Sequence, residues 1–376
     1  MPNLTLALVG CFLLTFLILR CAPLLRGLGL DNDLRGVQKM HTAVVPRIGG
    51  VAVALSTVLT LLLGVLLHTN TAHDPITLML CSLPVLCAGV VEDMTKLVSP
   101  AMRLSCALLS ATVSALALHA VIGRVDLPLI DRFLTFWPLA GALTLLAVSG
   151  LTNAINLIDG FNGLAGGVAL LMFGSIGLVA RQVDDWLVLS MALTMAGAIL
   201  GFLIWNYPGA SIFLGDGGAY FIGFMLAELV VLLIARHPGV SAWYAVDLTI
   251  YPIFETLFSI YRRRIVRGCA AGEPDGIHLH TLIFRRLTRR GNRPDSARIR
   301  ARRNARTSPY LWLLSLLGIV PATLFWQSAP VLMAAAFGFM LVYVWLYASI
   351  VRFRAPRWLV TYVMREVGRE ASEPSR

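Results

Sequence analysis

Residues 153–167 place several side-chain oxygens between two long apolar segments. The stretch reads Asn-Ala-Ile-Asn-Leu-Ile-Asp-Gly-Phe-Asn-Gly-Leu-Ala-Gly-Gly, with one carboxylate, Asp159, and three carboxamides, Asn153, Asn156 and Asn162. A charged group at membrane depth costs roughly 2.5–3.5 kcal/mol, so this polar cluster predicts a functional site. Its glycines permit sharp turns and a close approach of the backbone to a ligand. The alternative is a polar loop that only caps two helices.

Three more acidic residues lie at the ends of apolar segments. Glu92 and Asp93 are adjacent at the end of one such segment, where the helix dipole disfavours negative charge. Lys96 or a divalent cation could offset that charge. Asp216 lies in Gly-Asp-Gly-Gly, residues 215–218, where a simple helix N-cap is the alternative. Oxygen ligands from several segments suit Mg²⁺, which one or two carboxylates hold together with substrate phosphate and water.

Basic residues precede the second apolar segment. Lys39, His41 and Arg47 lie beside Pro46, which is followed by two glycines at 49–50. Basic side chains next to a rigid turn suit phosphate binding. The alternative is that they are only the basic residues that flank membrane spans on one side.

A second basic cluster follows at 278–290. His278 and His280 flank one residue and would project to the same side of an extended strand, and Arg285 follows them. Zinc is disfavoured because no nearby cysteine or acid completes a ligand set at a usual spacing. Histidine and arginine together suit a diphosphate better. Of two further acids in or near apolar segments, Glu228 and Glu255, the first is predicted to be a buried structural partner.

The composition is that of an all-α, polytopic integral membrane protein. The chain has 376 residues, of which 57% are hydrophobic and 14% charged, whereas soluble domains have about 25% charged residues. Apolar runs near the length of a membrane span predict about eleven transmembrane helices. They cover approximately residues 3–19, 48–67, 76–91, 101–122, 137–153, 163–180, 187–205, 212–234, 243–261, 310–327 and 329–351.

The distribution of lysine and arginine predicts the orientation of these helices. With eleven spans, one side of the membrane holds segments 20–47, 92–103, 262–308 and 352–376, which contain 5, 2, 14 and 6 of the 31 basic residues. The positive-inside rule makes this side cytoplasmic, with the N-terminus outside and the C-terminus inside. No basic residue precedes the first run and Arg20 follows it, so it is predicted to be a retained span. Residues 1–351 are then one multi-span domain, 352–376 a basic cytoplasmic tail, and the functional loops are 20–47, 92–100, 153–162, 206–218 and 262–308.

The net charge of +11 suits anionic membrane lipids or an anionic substrate. Nucleic acid is not an expected partner, since the chain shows no recognition motif and no large soluble segment. The six cysteines show no Cys-x-x-Cys spacing and resemble apolar core or lipid-facing residues.

Together, these motifs resemble the polyprenyl-phosphate N-acetylhexosamine-1-phosphate transferases. They are Pro-Arg-x-Gly-Gly at 46–50, the acidic pair at 92–93, Asn-Ala-x-Asn-x-x-Asp-Gly at 153–160, Gly-Asp-Gly-Gly at 215–218 and His-x-His at 278–280. The resemblance covers about residues 1–350. Within the family, the chain is most similar to the bacterial branch that starts O-antigen and related glycans on undecaprenyl phosphate.

The resemblance implies a Mg²⁺-dependent reaction, or one with Mn²⁺, on the cytoplasmic face of the bacterial inner membrane. The lipid phosphate attacks the β-phosphate of a UDP-N-acetylhexosamine, and UMP is released. Asp216 with Asn156 would hold the metal, Asp93 with Glu92 would orient or deprotonate the lipid phosphate, and Asp159 would contact the nucleotide. Substrate contacts are expected from Lys39, His41, Arg47, Lys96, Asn153, Asn162, His278, His280 and Arg285. A homodimer is a further expectation from the resemblance.

Four positions depart from the family pattern. Family members commonly have Asp at 92, Asp at 162, His at 281 and Asp at 255, where this chain has Glu92, Asn162, Thr281 and Glu255. A displacement near 1 Å can cost a hundredfold in rate, so a catalytically degenerate scaffold is one alternative. A lipid-linked sugar transporter is another, but transporters place their charges near the midplane and often contain inverted repeats. The sequence does not define the sugar.

Overall fold

A computed structural model describes residues 2–21, 30–31, 45–67, 73–268, 277–286 and 297–352. The fold is all-α and polytopic, as predicted, and within the described residues the only strand pairing is a two-residue antiparallel contact. The elements are, in chain order, α1 Pro2–Cys21, β1 Leu30–Asp31, β2 Val45–Pro46, α2 Gly49–Leu66, α3 His73–Thr95, α4 Pro100–Ala117, α5 Pro128–Leu134, α6 Trp137–Ile158, α7 Leu164–Gln182, α8 Trp186–Asn206, α9 Gly215–Arg236, α10 Ala242–Leu248, α11 Ile250–Tyr261, a π-helical segment Arg262–Arg267, α12 Leu279–Arg286, α13 Ala297–Leu324 and α14 Ala329–Val351.

In the described part of the chain, ten helices are long and apolar enough to cross a membrane. They match ten of the eleven predicted spans. The remaining span, predicted as continuous over 243–261, is divided into α10 and α11 at Thr249. Pro252 accounts for the division, because it has no N–H to donate to Leu248 in the preceding turn.

Helix α9 is the centre of the bundle. Nearly all of its side chains are buried, and it packs against α2, α3 and α6. Its sequence is apolar on every face, as expected of a helix surrounded by other helices. Between its first and last turns the one charged residue is Glu228, which is fully buried and accepts a hydrogen bond of 2.7 Å from the Ser114 hydroxyl of α4. The prediction that Glu228 is a buried structural partner is therefore confirmed.

Glycines allow α2 and α3 to approach the first turn of α9. A Cβ on Gly50 would lie 2.1 Å from the Cα of Gly218, and a Cβ on Gly89 would lie 2.5 Å from the Cα of Gly217. Small residues at helix contacts are typical of membrane bundles, because they let backbones meet. The contact brings the start of α2, the end of α3 and the start of α9 together at one end of the bundle, which is called the site end below.

Candidate active site

Asp93 joins α3 to the first turn of α9. Its Oδ1 accepts a hydrogen bond from the N–H of Asp216 at 2.9 Å, and its Oδ2 accepts one from the N–H of Gly217 at 2.8 Å. A carboxylate at this place satisfies N–H groups that a helix start leaves free, and it is favoured by the positive end of the helix dipole. Asp93 is only 3% exposed. Its geometry is therefore that of a group that fixes the position of Asp216.

Asp216 lies between two guanidinium groups. Arg47 Nη2 is 3.4 Å from its Oδ1, and Arg103 Nη1 donates to its Oδ2. Arg47 also places its Nε 3.7 Å from Asp93 Oδ1. Gly215 makes this convergence possible, since it has a left-handed φ of +76° and a Cβ there would lie 2.0 Å from the carbonyl oxygen of Arg47.

Arg103 links this pair to the end of α6. Its guanidinium lies 5.9 Å from the ring centroid of Tyr220, within the range of a cation–π contact. The Tyr220 hydroxyl donates to Asn153 Oδ1 at 3.3 Å, and Asn153 donates through Nδ2 to the carbonyl oxygen of Ser149. The sequence predicted Asn153 to lie in the site. A chain of contacts through Tyr220 and Arg103 connects it to Asp216.

Asp159 and Asn156 end α6 at the same place. Both are partly buried, and within the described residues neither side chain has a hydrogen-bond partner. Burial raises the pKa of Asp159 to about 7, while the charge of Arg47 opposes this and those of Asp216 and Asp93 add to it. The charges of Arg47, Asp93 and Asp216 therefore all act on the Asp159 carboxyl group.

Lys96 adds positive charge at the edge of this cluster. It follows the end of α3 with a left-handed φ of 58°. Burial and the charge of Arg47 lower its pKa, and the carboxylates of Asp93 and Asp216 oppose that shift. Glu92, its neighbour, accepts a hydrogen bond of 2.8 Å from the N–H of Val98 and closes this turn. A catalytic role for Glu92 stays a prediction.

The loop between α6 and α7 is held by side chains of α8 and α13. Asn206 Oδ1 accepts from the N–H of Gly163 at 2.7 Å, and Asn304 Oδ1 accepts from the N–H of Asn162 at 2.8 Å. The Asn162 side chain donates through Nδ2 to the carbonyl oxygen of Pro208 at 3.2 Å and is only 5% exposed. The structure therefore gives Asn162 a positioning contact that the sequence did not predict, and its substrate-binding role stays a prediction.

His278 is oriented by a buried glutamate. Its Nδ1 donates to Glu255 Oε1 at 3.0 Å, and Tyr343 donates its hydroxyl to Glu255 Oε2 at 2.6 Å. Glu255 is fully buried, so its charge depends on these partners. The sequence placed Glu255 near the basic loop without identifying His278 as its partner.

His280 faces the α6–α7 loop. Its ring stacks on that of His278 at a centroid distance of 5.1 Å and meets the edge of Phe161 at 5.3 Å. The predicted extended strand at 278–280 is wrong, because α12 begins at Leu279. The two rings still face each other, since the backbone turns into the helix between them.

The contacts described above do not include three residues that were predicted to bind substrate. Lys39 and His41 lie outside the described residues. Arg285 lies in the last turn of α12 and is partly exposed. Their substrate-binding roles stay predictions.

Sequence reasoning missed three residues of the cluster, Arg103, Asn206 and Asn304. Arg103 was counted only among the basic residues that flank spans. Asn206 and Asn304 act on backbone atoms far away in the chain, and no spacing pattern signals that. A polar side chain at the edge of an apolar run was the one available signal.

The donor set at the site end consists of carboxylate and carboxamide oxygens beside arginine and lysine. Among the described residues, no group of three or more His, Cys, Asp or Glu side chains could enclose a metal ion by itself. Mg²⁺ needs no such cage, since it keeps waters and substrate phosphate oxygens as ligands. The side chains of Asn156 and Asp159, which have no hydrogen-bond partner among the described residues, lie at the end of α6 and fit that requirement. Such a site is suited to phosphoryl transfer, which depends mainly on positioning and charge neutralisation.

Comparisons with known proteins agree with this chemistry. The sequence profile of the family described as "Glycosyl transferase family 4" matches residues 75–234. A Bacillus subtilis (strain 168) protein described as "Probable undecaprenyl-phosphate N-acetylglucosaminyl 1-phosphate transferase" is 32% identical over 278 residues, which are 71% of this chain and 74% of that protein. The Thermotoga maritima "Undecaprenyl-phosphate alpha-N-acetylglucosaminyl 1-phosphate transferase" is 28% identical over 66% of this chain and 72% of its own length. A "Phospho-N-acetylmuramoyl-pentapeptide-transferase" of Rubrobacter xylanophilus is 33% identical over 44% of this chain and 52% of its own length.

The fold and the site therefore define a multi-pass membrane enzyme that transfers a phospho-sugar. The chain belongs to glycosyl transferase family 4, among the polyprenyl-phosphate N-acetylhexosamine-1-phosphate transferases that its motifs resemble.

Proposed function

We propose that this protein transfers an N-acetylhexosamine 1-phosphate group, most simply N-acetylglucosamine 1-phosphate, from a UDP-sugar to undecaprenyl phosphate. A phosphate oxygen of the lipid attacks the β-phosphorus of the UDP-sugar, the bond from that phosphorus to UMP breaks, and UMP leaves. The observation that carries the proposal is the convergence of Asp93, Asp159 and Asp216 with Arg47 and Arg103 at one end of a membrane bundle. The names of the Bacillus and Thermotoga relatives support the choice of lipid and sugar.

The charged residues divide into those that hold phosphate and those that hold the site in shape. Arg47, Arg103 and Lys96 attract and orient the anionic substrates. Asp93 orients the start of α9, because both of its oxygens already accept backbone hydrogen bonds. This geometry favours an orienting role for Asp93 over removal of a proton from the lipid phosphate.

Asp216 and Asn156 would hold Mg²⁺, or Mn²⁺, with Asp159 beside them. The ion would neutralise charge on the phosphates when bound. Asp159 would contact the nucleotide, and the stacked imidazoles of His278 and His280 would offer N–H donors to the diphosphate.

The site end is proposed to face the cytoplasm across the bacterial inner membrane, where nucleotide sugars are available. The product would start O-antigen or another cell-envelope polysaccharide. The distribution of basic residues supports this orientation.

The test uses purified protein with undecaprenyl phosphate, Mg²⁺ and a panel of UDP-N-acetyl sugars, and follows UMP release. We expect UMP from one sugar of the panel, and a rate at least about 100-fold lower for Asp216→Asn, because that change removes the charge that the cation and the two arginines meet. Asp184→Asn is the matched control, since Asp184 is exposed in the turn between α7 and α8, at the opposite end of the bundle.

Two outcomes would contradict the proposal. UMP release by Asp216→Asn at the wild-type rate would remove the site from the reaction. No release from any UDP-sugar by folded wild-type protein would favour the scaffold alternative.

A further inference from the structure

One face of α13 is bonded to the peptide backbone of the α6–α7 loop. Asn304, Ser308 and Trp312 are spaced by four residues and therefore lie on the same side of the helix. Asn304 accepts from the N–H of Asn162 at 2.8 Å, and Ser308 donates to the carbonyl oxygen of the same residue at 2.6 Å. Trp312 donates through Nε1 to the carbonyl oxygen of Gly163 at 3.1 Å.

These three hydrogen bonds satisfy backbone N–H and C=O groups of the loop that are buried away from water. Asn304 is 5% exposed and Ser308 is fully buried. A buried backbone N–H or C=O without a partner costs free energy, so each contact is required where it stands. The ring of Trp312 also fills the space left by Gly167, where a Cβ would lie 2.3 Å from Nε1.

The bonded peptide lies between two parts of the site. Asp159 precedes it by three residues, and Phe161 contacts both His280 and Phe284 of α12 at centroid distances of 5.3 and 5.5 Å. A shift of the peptide at 162–163 would therefore move the Asp159 carboxylate and the His280 ring with it.

We propose that Asn304 is a positioning residue for binding of the UDP-sugar, with Ser308 and Trp312 as its partners on α13. The inference rests on the proposed function, in which Asp159 contacts the nucleotide. It assigns to α13 the task of setting the position of the nucleotide contact.

The first test compares Asn304→Ala with Asn304→Asp. The alanine variant loses the acceptor oxygen for the Asn162 N–H, whereas aspartate keeps one. We expect the KM for the UDP-sugar to rise about five- to tenfold in Asn304→Ala, the change that loss of one buried hydrogen bond produces, and to stay near the wild-type value in Asn304→Asp. The KM for undecaprenyl phosphate should not change in either variant.

Ser315→Ala is the matched control on the same helix. Ser315 is buried, but its hydroxyl donates only to the Leu311 carbonyl oxygen within α13. It therefore reports the effect of removing a buried polar group without disturbing the loop. Ser308→Ala replaces Asn304→Ala if the latter does not fold, since it removes the neighbouring bond to Asn162.

Amide hydrogen exchange gives a readout that does not need turnover. The peptide that contains residues 159–163 should exchange faster in Asn304→Ala than in the wild-type protein, Asn304→Asp or Ser315→Ala. An exchange rate in Asn304→Ala equal to that of the wild-type protein would overturn the inference. So would a rise in the KM for the UDP-sugar and the KM for undecaprenyl phosphate that is the same in Asn304→Ala as in Ser315→Ala. If the wild-type protein uses no UDP-sugar, the proposed function is wrong, and the exchange rates alone decide whether Asn304 positions the loop.

Discussion

Asp216 has a cation on each side, and the two cations reach it from different helices. Arg47 precedes α2 and Arg103 lies in the first turn of α4. A guanidinium can meet a carboxylate and a phosphate with its planar set of N–H donors. Arg103 therefore orients Asp216, and under the proposed function we expect it to meet substrate phosphate as well.

Arg103→Ala should lower kcat/KM for the UDP-sugar roughly thirtyfold, or about 2 kcal/mol, because it removes a charge-assisted contact from the site. The kcat/KM of Arg103→Lys should lie between those of the wild-type protein and Arg103→Ala, since lysine keeps the charge but not the planar set of donors. Arg132→Ala is the matched control, because Arg132 is exposed on α5, away from the site end. Equal rates for Arg103→Ala and Arg132→Ala in the UMP release assay would show that Arg103 has no part in the reaction.

The acids of this site were predictable one residue at a time, and the arginine was not. Asp216 is flanked by glycines and Asp159 by carboxamides, so each departs from its apolar surroundings in the sequence. Arg103 is a single basic residue at the start of a span, where basic residues are ordinary. Only its contact with a residue 113 positions away identifies it.

Glycine contacts hold the helices together at the site end and determine how closely Arg47 and Asp216 approach each other. The first turns of α2 and α9 meet at Gly50 and Gly218, and the backbone N–H of Gly50 also donates to the carbonyl oxygen of Leu214 at 2.8 Å. Arg47 lies three residues before Gly50, and Asp216 lies two before Gly218. The spacing between these helices therefore sets the Arg47–Asp216 distance.

Gly50→Ala should destabilise the protein and reduce activity. Its Cβ would lie 2.1 Å from the Cα of Gly218, and backbone atoms cannot yield as a side chain can. Overpacking of this kind costs about 1–3 kcal/mol. Thermal unfolding in detergent, followed by tryptophan fluorescence, measures the loss. Gly174→Ala in α7 is the control, because nothing lies within 4 Å of its added Cβ, and it should be at least as stable as the wild-type protein. A wild-type melting temperature for Gly50→Ala would mean that the helices can separate without cost.

At this scale the sequence predicted nine of the ten long helices to within about five residues at each end, because hydrocarbon thickness fixes their length. The tenth, α13, begins at Ala297 rather than at 310, because its first turns are basic and hydropathy does not register them. It did not predict the division at Thr249, since hydropathy does not register that Pro252 lacks an N–H. The strand expected at 278–280 failed for a related reason. Two histidines on one side are compatible with a strand or with a helix start, and the helix is the form in which His280 and Phe284 both pack on Phe161.

At the scale of the whole molecule, α10 and α11 together cross the bundle once and return the chain to the site end. Helix α9 leaves the site end at Asp216, whereas α11 leads back to His278, whose ring bonds to Glu255. A Cβ on Gly160 would lie 3.4 Å from His280 Nε2, so the histidines return to the same end as Asp159. Ten long helices and one broken pair therefore bring every predicted motif of the described residues to one face. The sequence predicted this shared face because each motif follows an odd number of predicted spans, and successive spans cross the membrane in alternate directions.

The orientation of that face is the last prediction. Leu97 and Leu129 are exposed leucines, 85% and 74% accessible, that lie beyond opposite ends of α4. In a variant with all six cysteines replaced by alanine, an impermeant maleimide added to spheroplasts should label Leu129→Cys and not Leu97→Cys, because Leu97 shares the site end with the basic segments that the positive-inside rule assigns to the cytoplasm. Permeabilised cells should show labelling of both positions, which serves as the control for reactivity. Labelling of Leu97→Cys in intact spheroplasts would place Asp93 and Asp216 on the outer face, where a cytosolic UDP-sugar does not reach them, and the proposed donor would then be wrong.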